Sequence, residues 1–457
     1  MSARPNPSAR GMAAFTLMLL TGCASVPNLG AEPKLASPDT FSSERSFAGP
    51  AAEWPSDSWW ETYGDSQLDA LITEALRDSP TLSAAAARAR QAQASVMTAA
   101  SASAPHVSGD ASVQSSYQKL DADDLPQTIA DALPDDWRTQ SSASVKVSKS
   151  LDFFGRNRAN FAAANSLAEA SEAEAAAARL EISTGVALYY AELVRLTADR
   201  AAAEDAIRVR QSGEKLVDQR LKSGLENEGR LYQASAQVSA ARVSLTTVDG
   251  NIARTRHALA AMLGKGPDRG LDIALPKNPR LASSGLPAKL ALDLIGRRPD
   301  LVAARHYAEA AAERIKAERA DFYPNVNLAA VVGLQTLGLD RLGGGDLSYV
   351  SAGPALSLPI FDGGGVEGDY RKARAEYDEA VATYNGALTN ALKEVADAIS
   401  DRRTLDAQLL DAHAALNAAE TAYGLVRTRY EGGLSSYLDV LSVEELDGRT
   451  PPHCGGA

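Results

Sequence analysis

Apolar and polar positions alternate in four short stretches of the chain and follow a helical spacing through most of the rest. In HVSGDASVQ (106–114), Val107, Gly109, Ala111 and Val113 alternate with Ser108, Asp110, Ser112 and Gln114. In SASVKVSKS (142–150), Ala143, Val145 and Val147 alternate with Ser144, Lys146 and Ser148. NVNLAAVVGLQ (325–335) and VSAGPALSLP (350–359) take the corresponding places later in the chain. A period of two predicts strands, here of about 9–13 residues, the length that crosses a bilayer when tilted. Each strand pair is followed by a long stretch without proline, from Pro134 to Pro267 and from Pro359 to Pro451, so neither helical region has a forced break. The pattern from about Asn157 to Lys222 is dense in Ala, Glu, Arg and Leu. It predicts a rod on the order of 100 Å long, whose Ala-rich seams suit extended coiled-coil packing.

The chain is written twice. SPTLSAAAARARQAQA from Ser79 aligns with RPDLVAARHYAEAAAE from Arg298, pairing Pro80 with Pro299, Leu82 with Leu301 and Pro105 with Pro324, all 219 apart. Further on the offset becomes 209 and pairs Val186 with Val395, Val217 with Val426, Arg220 with Arg429, Gly224 with Gly433 and Leu225 with Leu434. A tandem duplication with a shorter loop in the second copy explains both offsets. Each copy runs helix (66–100 and 299–321), strand, loop, strand, long helix. The predicted organisation is 1–22 signal peptide, 23–65 N-terminal segment, 66–264 first repeat, 265–298 linker with Pro267, Pro276, Pro279 and Pro287, 299–446 second repeat, and 447–457 a tail that does not match.

Four amphipathic strands cannot close on themselves. In lipid every backbone donor and acceptor needs a partner, and the smallest membrane barrels have about eight strands. Strands from several protomers must combine, which makes the chain a homo-oligomer. No apolar run of about 18 residues follows the signal, so any crossing is made by strands.

The first residues and the charge set the compartment. Arg4 and Arg10 precede MAAFTLMLL and then Leu20-Thr21-Gly22-Cys23, a secretory signal ending in a lipobox. The mature chain is expected to begin at a lipidated Cys23, anchored by its acyl chains, and Ala24 and Ser25 favour the outer membrane. Loss of residues 1–22 takes the net charge from −12 to −14, which speaks against a nucleic-acid partner. Cys454 is the only other cysteine, so there is no disulfide framework.

RRPDLVAARHYAEAAAERIKAERADFYPNVNL (297–328), SLPIFDGGG (357–365), WWETYGDSQLDALITEAL (59–76) and GLSSYLDVL (433–441) together resemble the outer-membrane factor family. These are the TolC-like and NodT-like exit ducts of efflux systems, and the likeness is to their lipoprotein branch. It implies a mixed α and β membrane protein: a trimeric β-barrel with four strands per protomer, continued by a long α-helical coiled-coil barrel across the periplasm. It further implies a periplasmic adaptor protein at the helix tips and an inner-membrane efflux pump as energy source, with no cofactor and no enzymatic activity. A periplasmic coiled-coil scaffold lipoprotein without a pore is the competing reading.

Gly224-Leu225 and Gly433-Leu434 sit where each long helix should turn back, and glycine suits the left-handed residue that ends a helix. By resemblance these tips also contact the adaptor. Asp439 falls, by resemblance, on the inner edge of the tip, where three copies would form an acidic ring; a solvated helix-face carboxylate is the alternative. The matching position in the first copy is Arg230. Gly363, Gly365 and Gly368 have GxGxxG spacing, but the preceding segment alternates and carries Pro359, so a strand-to-helix corner is expected rather than a dinucleotide site. The histidines show no i,i+4 pairing with each other, and no metal site is expected; Asp121 to Asp124 read as a solvated loop. Trp59 and Trp60 read as packing anchors or as markers of the membrane interface.

The end of the chain departs from the duplication. The return helix of the first copy spans Arg230 to Gly264, whose equivalent would end near residue 473, whereas Pro451 and Pro452 stop the second. A return helix of one or two turns is expected, with an incomplete helical barrel and impaired assembly, and a frameshift near codon 445 as the simplest cause.

Overall fold

The computed structural model describes residues 26–47, 51–52, 54–118, 136–276, 286–287, 296–337 and 348–449. The expected signal, Cys23, Asp121 to Asp124 and the tail from residue 450 lie outside the described residues.

Each repeat has the predicted order. The first contains α1 (Ser66–Asp78), α2 (Pro80–Ser101), β1 (His106–Gln118), β2 (Asp136–Ser150), α3 (Arg156–Lys222) and α4 (Glu228–Met262). The second contains α5 (Pro299–Ala320), β3 (Asn325–Leu337), β4 (Ser348–Ser357), α6 (Gly365–Glu431) and α7 (Tyr437–Arg449). The long helices α3 and α6 are each 67 residues, as the absence of proline requires. Two differences have local causes. The helix expected over 66–100 is interrupted at Ser79, which is extended at ψ 124°, because a residue before proline is pushed out of the helical region. The return helix α7 has 13 residues, between three and four turns rather than one or two, since no proline lies within it.

The chain forms two compact units that cut across the repeats. One comprises residues up to 35 with 88–172 and 303–385; the other comprises 36–87, 173–302 and 386 onward.

The first unit holds a four-stranded antiparallel sheet in the order β1-β2-β3-β4. Its register places Val107 opposite Val147, Gly109 opposite Val145 and Ala111 opposite Ala143; Val145 then meets Val332, and Val332 meets Val350. One face thus carries Val107, Val113, Val145, Val332, Val350 and Leu356, all exposed. The other carries Ser108, Asp110, Ser112, Gln114, Ser144 and Lys146, with Ser112 and Ser142 hydroxyls 2.8 Å apart. Residues 26–35 also belong to this unit: the Arg374 guanidinium donates to the Ala31 carbonyl and Tyr377 Oη to that of Pro33.

In the second unit, Leu71, Ile72 and Ala75 of α1 pack with Val186, Leu193 and Leu196 of α3, with Ile252 and Leu259 of α4, and with Leu263 just after it. Trp60 is buried in this cluster, with Trp59 edge-on to it at 5.9 Å, so the tryptophans are packing anchors. Asp65 caps α1 by accepting from the Gln67 and Leu68 amides, and its other oxygen accepts from Tyr190 Oη at 2.6 Å. Burial and then this carboxylate push the Tyr190 phenol far up, which keeps it a proton donor. Residues 51–52 pair in parallel with 286–287. Among the described residues no helix is long and apolar enough to cross a membrane.

Candidate functional site

Two features bear on function: the sheet with its apolar face, and the helix tips. Among the described residues, β1 and β4 each have a single strand neighbour, so two rows of backbone groups are left for other strands. An exposed valine and leucine face together with two open edges is stable only if lipid covers the face and further strands close the edges.

At the tips, α3 and α6 end in the same way. Gly224 has φ 73° and Gly433 φ 76°. The Leu225 amide donates to the Arg220 carbonyl at 2.8 Å and Gly224 to Leu221 at 2.9 Å; Leu434 donates to Arg429 at 2.8 Å and Gly433 to Tyr430 at 3.0 Å. Both are Schellman closures, whose left-handed residue favours glycine. The apolar residue after the glycine usually packs back on the helix. Here it faces arginine at that position, and Leu225 and Leu434 are left 64% and 74% exposed.

The return helices start with equivalent caps. Asn227 Oδ1 accepts from the Arg230 amide at 3.1 Å. In the second copy Asp439 Oδ2 accepts from the Ser436 amide at 2.8 Å and its hydroxyl at 2.9 Å, while the Asp439 amide faces Ser436 Oγ at 3.4 Å. This is a reciprocal capping box. The Ser436 amide, then its hydroxyl, hold the Asp439 carboxyl below the usual value, so it is ionised at neutral pH. Asp439 is exposed.

The structure brings the two tips together through Arg220 and Tyr430. Arg220 Nη1 donates to the Tyr430 carbonyl at 2.9 Å, and its guanidinium carbon lies 4.7 Å from the Tyr430 ring centroid. Tyr430 Oη donates to Glu226 Oε1 at 3.1 Å. Burial, followed by Glu226, raises the phenol to about 12. Tyr430 packs with Val217, Ala234, Tyr437 and Val440 in one buried cluster. The matched pair Arg220 and Arg429 was visible in the repeat; the Tyr430 partnership, 210 residues away, was not.

The strand before the glycine-rich corner, β4, is antiparallel, whereas a dinucleotide-binding turn follows a parallel strand. Asp362 caps α6 by accepting from the Gly364 and Val366 amides, and Asp152 caps α3 through the Asn157 and Arg158 amides. The glycines therefore turn a corner, as expected.

The profile of the outer membrane efflux protein family matches residues 71–265 and 290–445. The chain belongs to this family. It is 30% identical over 445 residues to the multidrug resistance outer membrane protein MdtP of Shigella flexneri, covering 93% of the chain and 89% of that protein. It is 32% identical over 384 residues to the fusaric acid resistance protein FusA of Burkholderia cepacia, covering 81% and 71%. Among solved structures, the outer membrane protein VceC of Vibrio cholerae superposes with a TM-score of 0.80 at 39% identity, over 87% of this chain and 94% of that one. The open sheet is thus the membrane-facing part of an outer-membrane efflux channel, and the fold class that the resemblance implied holds.

Proposed function

We propose that the chain is the passive exit duct of a tripartite efflux system, working as a homotrimer with an adaptor and an inner-membrane pump. The observation that carries this is the sheet: an exposed apolar face, a polar opposite face and, among the described residues, two edges with no further strand beside them. Three such sheets supply twelve strands, enough to close a barrel with the serine and glutamine face lining water. The exposed Leu225 and Leu434, held out by Gly224 and Gly433, offer matched apolar contacts to the adaptor. Asp439, ionised and exposed, supplies the acidic lining of the periplasmic aperture. Acylation at Cys23 fits the placement of residues 26–35 in the same compact unit as the sheet.

Reconstitution into planar lipid bilayers tests the duct. Detergent-extracted trimers with discrete single-channel conductance are expected; monomers that give none would overturn the reading.

A further inference from the structure

Among the described residues, Glu169 of α3 and His306 and Glu309 of α5 bring three ligand atoms within 4.8 Å of one another. His306 Nδ1 lies 2.9 Å from Glu309 Oε2 and 3.1 Å from Glu169 Oε2. The spacing of His306 and Glu309 puts both on one helix face, while Glu169 comes from the other repeat. All three belong to the same compact unit. We infer that Glu169, His306 and Glu309 form a binding site for one divalent zinc-like cation that staples the long helix of the first repeat to the entry helix of the second.

The distances suit such an ion. With nitrogen and oxygen ligands at about 2.0–2.2 Å, the edges of a tetrahedron are about 3.3–3.6 Å; both measured edges are shorter, so the side chains would part by a few tenths of an ångström around the ion. The His306 side chain is 14% exposed, whereas the two glutamates are about half exposed, so the imidazole is held and a fourth position opens to water. Two carboxylates balance the charge of a dication. At present one imidazole nitrogen faces two carboxylates, and a single N–H proton cannot serve both fully. One imidazole with two carboxylates selects zinc or its neighbours over magnesium and calcium, which require more oxygens.

Arg305 is the element that opposes binding. Its Nη2 lies 3.4 Å from His306 Nε2, and an arginine only donates, so it holds the imidazole proton on Nδ1. When Nδ1 ligates a metal, that proton sits on Nε2 and meets a donor. Arg305 must then turn toward Glu309 Oε1, 3.6 Å from its Nε. Replacing it with glutamine supplies an oxygen that accepts from Nε2–H, the partner that metal-bound histidines ordinarily have. The duplication does not repeat the site: the matching positions are Ala87, Arg90 and Asp378, which predicts one ion per protomer.

The test uses the full chain in detergent with Cys454→Ser, stripped with chelator and titrated with zinc chloride by calorimetry. One zinc per chain is expected. Glu169→Gln and His306→Ala should each weaken binding by roughly tenfold or more, Arg305→Gln should tighten it, and magnesium chloride should not compete. Circular dichroism confirms that each variant retains its helix content. Zinc uptake unchanged by His306→Ala, absence of uptake by the parent, or weaker binding in a folded Arg305→Gln would each overturn the proposal.

Discussion

Arg220 and Tyr430 join the tip of the first repeat to that of the second, through a 2.9 Å hydrogen bond to the Tyr430 carbonyl and a guanidinium 4.7 Å from the ring. Arg220 and its equivalent Arg429 each give their carbonyl to the Schellman closure of their own tip, and the Arg220 guanidinium in addition reaches across to Tyr430. The two tips are therefore locally alike but joined by an asymmetric pair.

Removing that pair should loosen the tips. Arg220→Ala loses a charged hydrogen bond and a cation–π contact, together about 2 kcal/mol. Arg220→Lys retains the charge without the planar fork and should fall between the two. Larger mean single-channel conductance in the order Ala, Lys, wild type is the expected result in planar bilayers.

Gly224→Ala and Gly433→Ala force a Cβ into left-handed backbone at φ 73° and 76°. Each should cost about 1 kcal/mol without a steric clash, because nothing lies within 4 Å of the added carbon. Gly264 differs. At φ 69° its Cβ would sit 2.7 Å from the Asp78 carbonyl and 2.8 Å from Pro80, so Gly264→Ala should lower the thermal midpoint most of the three.

Leu225→Asp and Leu434→Asp change exposed side chains and should leave the unfolding temperature unchanged. Combined, they should abolish co-purification with the adaptor while conductance persists. Loss of assembly in either variant would show instead that the leucines pack within the protein.

The Asp439 cap makes a signed pH prediction. The Ser436 amide and hydroxyl hold the folded-state carboxyl below the ordinary 3.8, so the unfolded chain takes up this proton first as pH falls. The stabilisation is fully present above pH 3.8 and is lost as pH drops through the depressed value. Asp439→Ala should reduce amide protection at the start of α7 at neutral pH, and the difference from wild type should vanish once the carboxyl is protonated.

Charge on the apolar sheet face should be costly. Val332 lies between Val145 and Val350, and a lysine there costs roughly 2–4 kcal/mol near the bilayer midplane. Val332→Lys should deplete heat-resistant oligomers in outer-membrane fractions, whereas Ser144→Lys, on the polar face next to Asp110, should be tolerated.

The amino-acid sequence by itself determined the repeat, the four strands and their two faces, the 67-residue helices and the glycine tips. These follow from local rules: side chains alternate along a strand, proline breaks a helix, and glycine accepts left-handed backbone. The capping box of Ser436 and Asp439 was also readable, since its members stand three positions apart, although the carboxylate was read as lining the pore or as a solvated group on the helix face. The break at Ser79 was readable as well, because Pro80 follows it; only the tertiary structure decided that Tyr430 would meet Arg220 and Glu226 and that Glu169 would reach His306. Tyr430 and Arg220 are 210 residues apart, and no periodicity carries information over that span. Which matched positions touch depends on the rotation of one packed helix against another, and that is set by the fit of buried side chains such as Val217, Tyr437 and Val440.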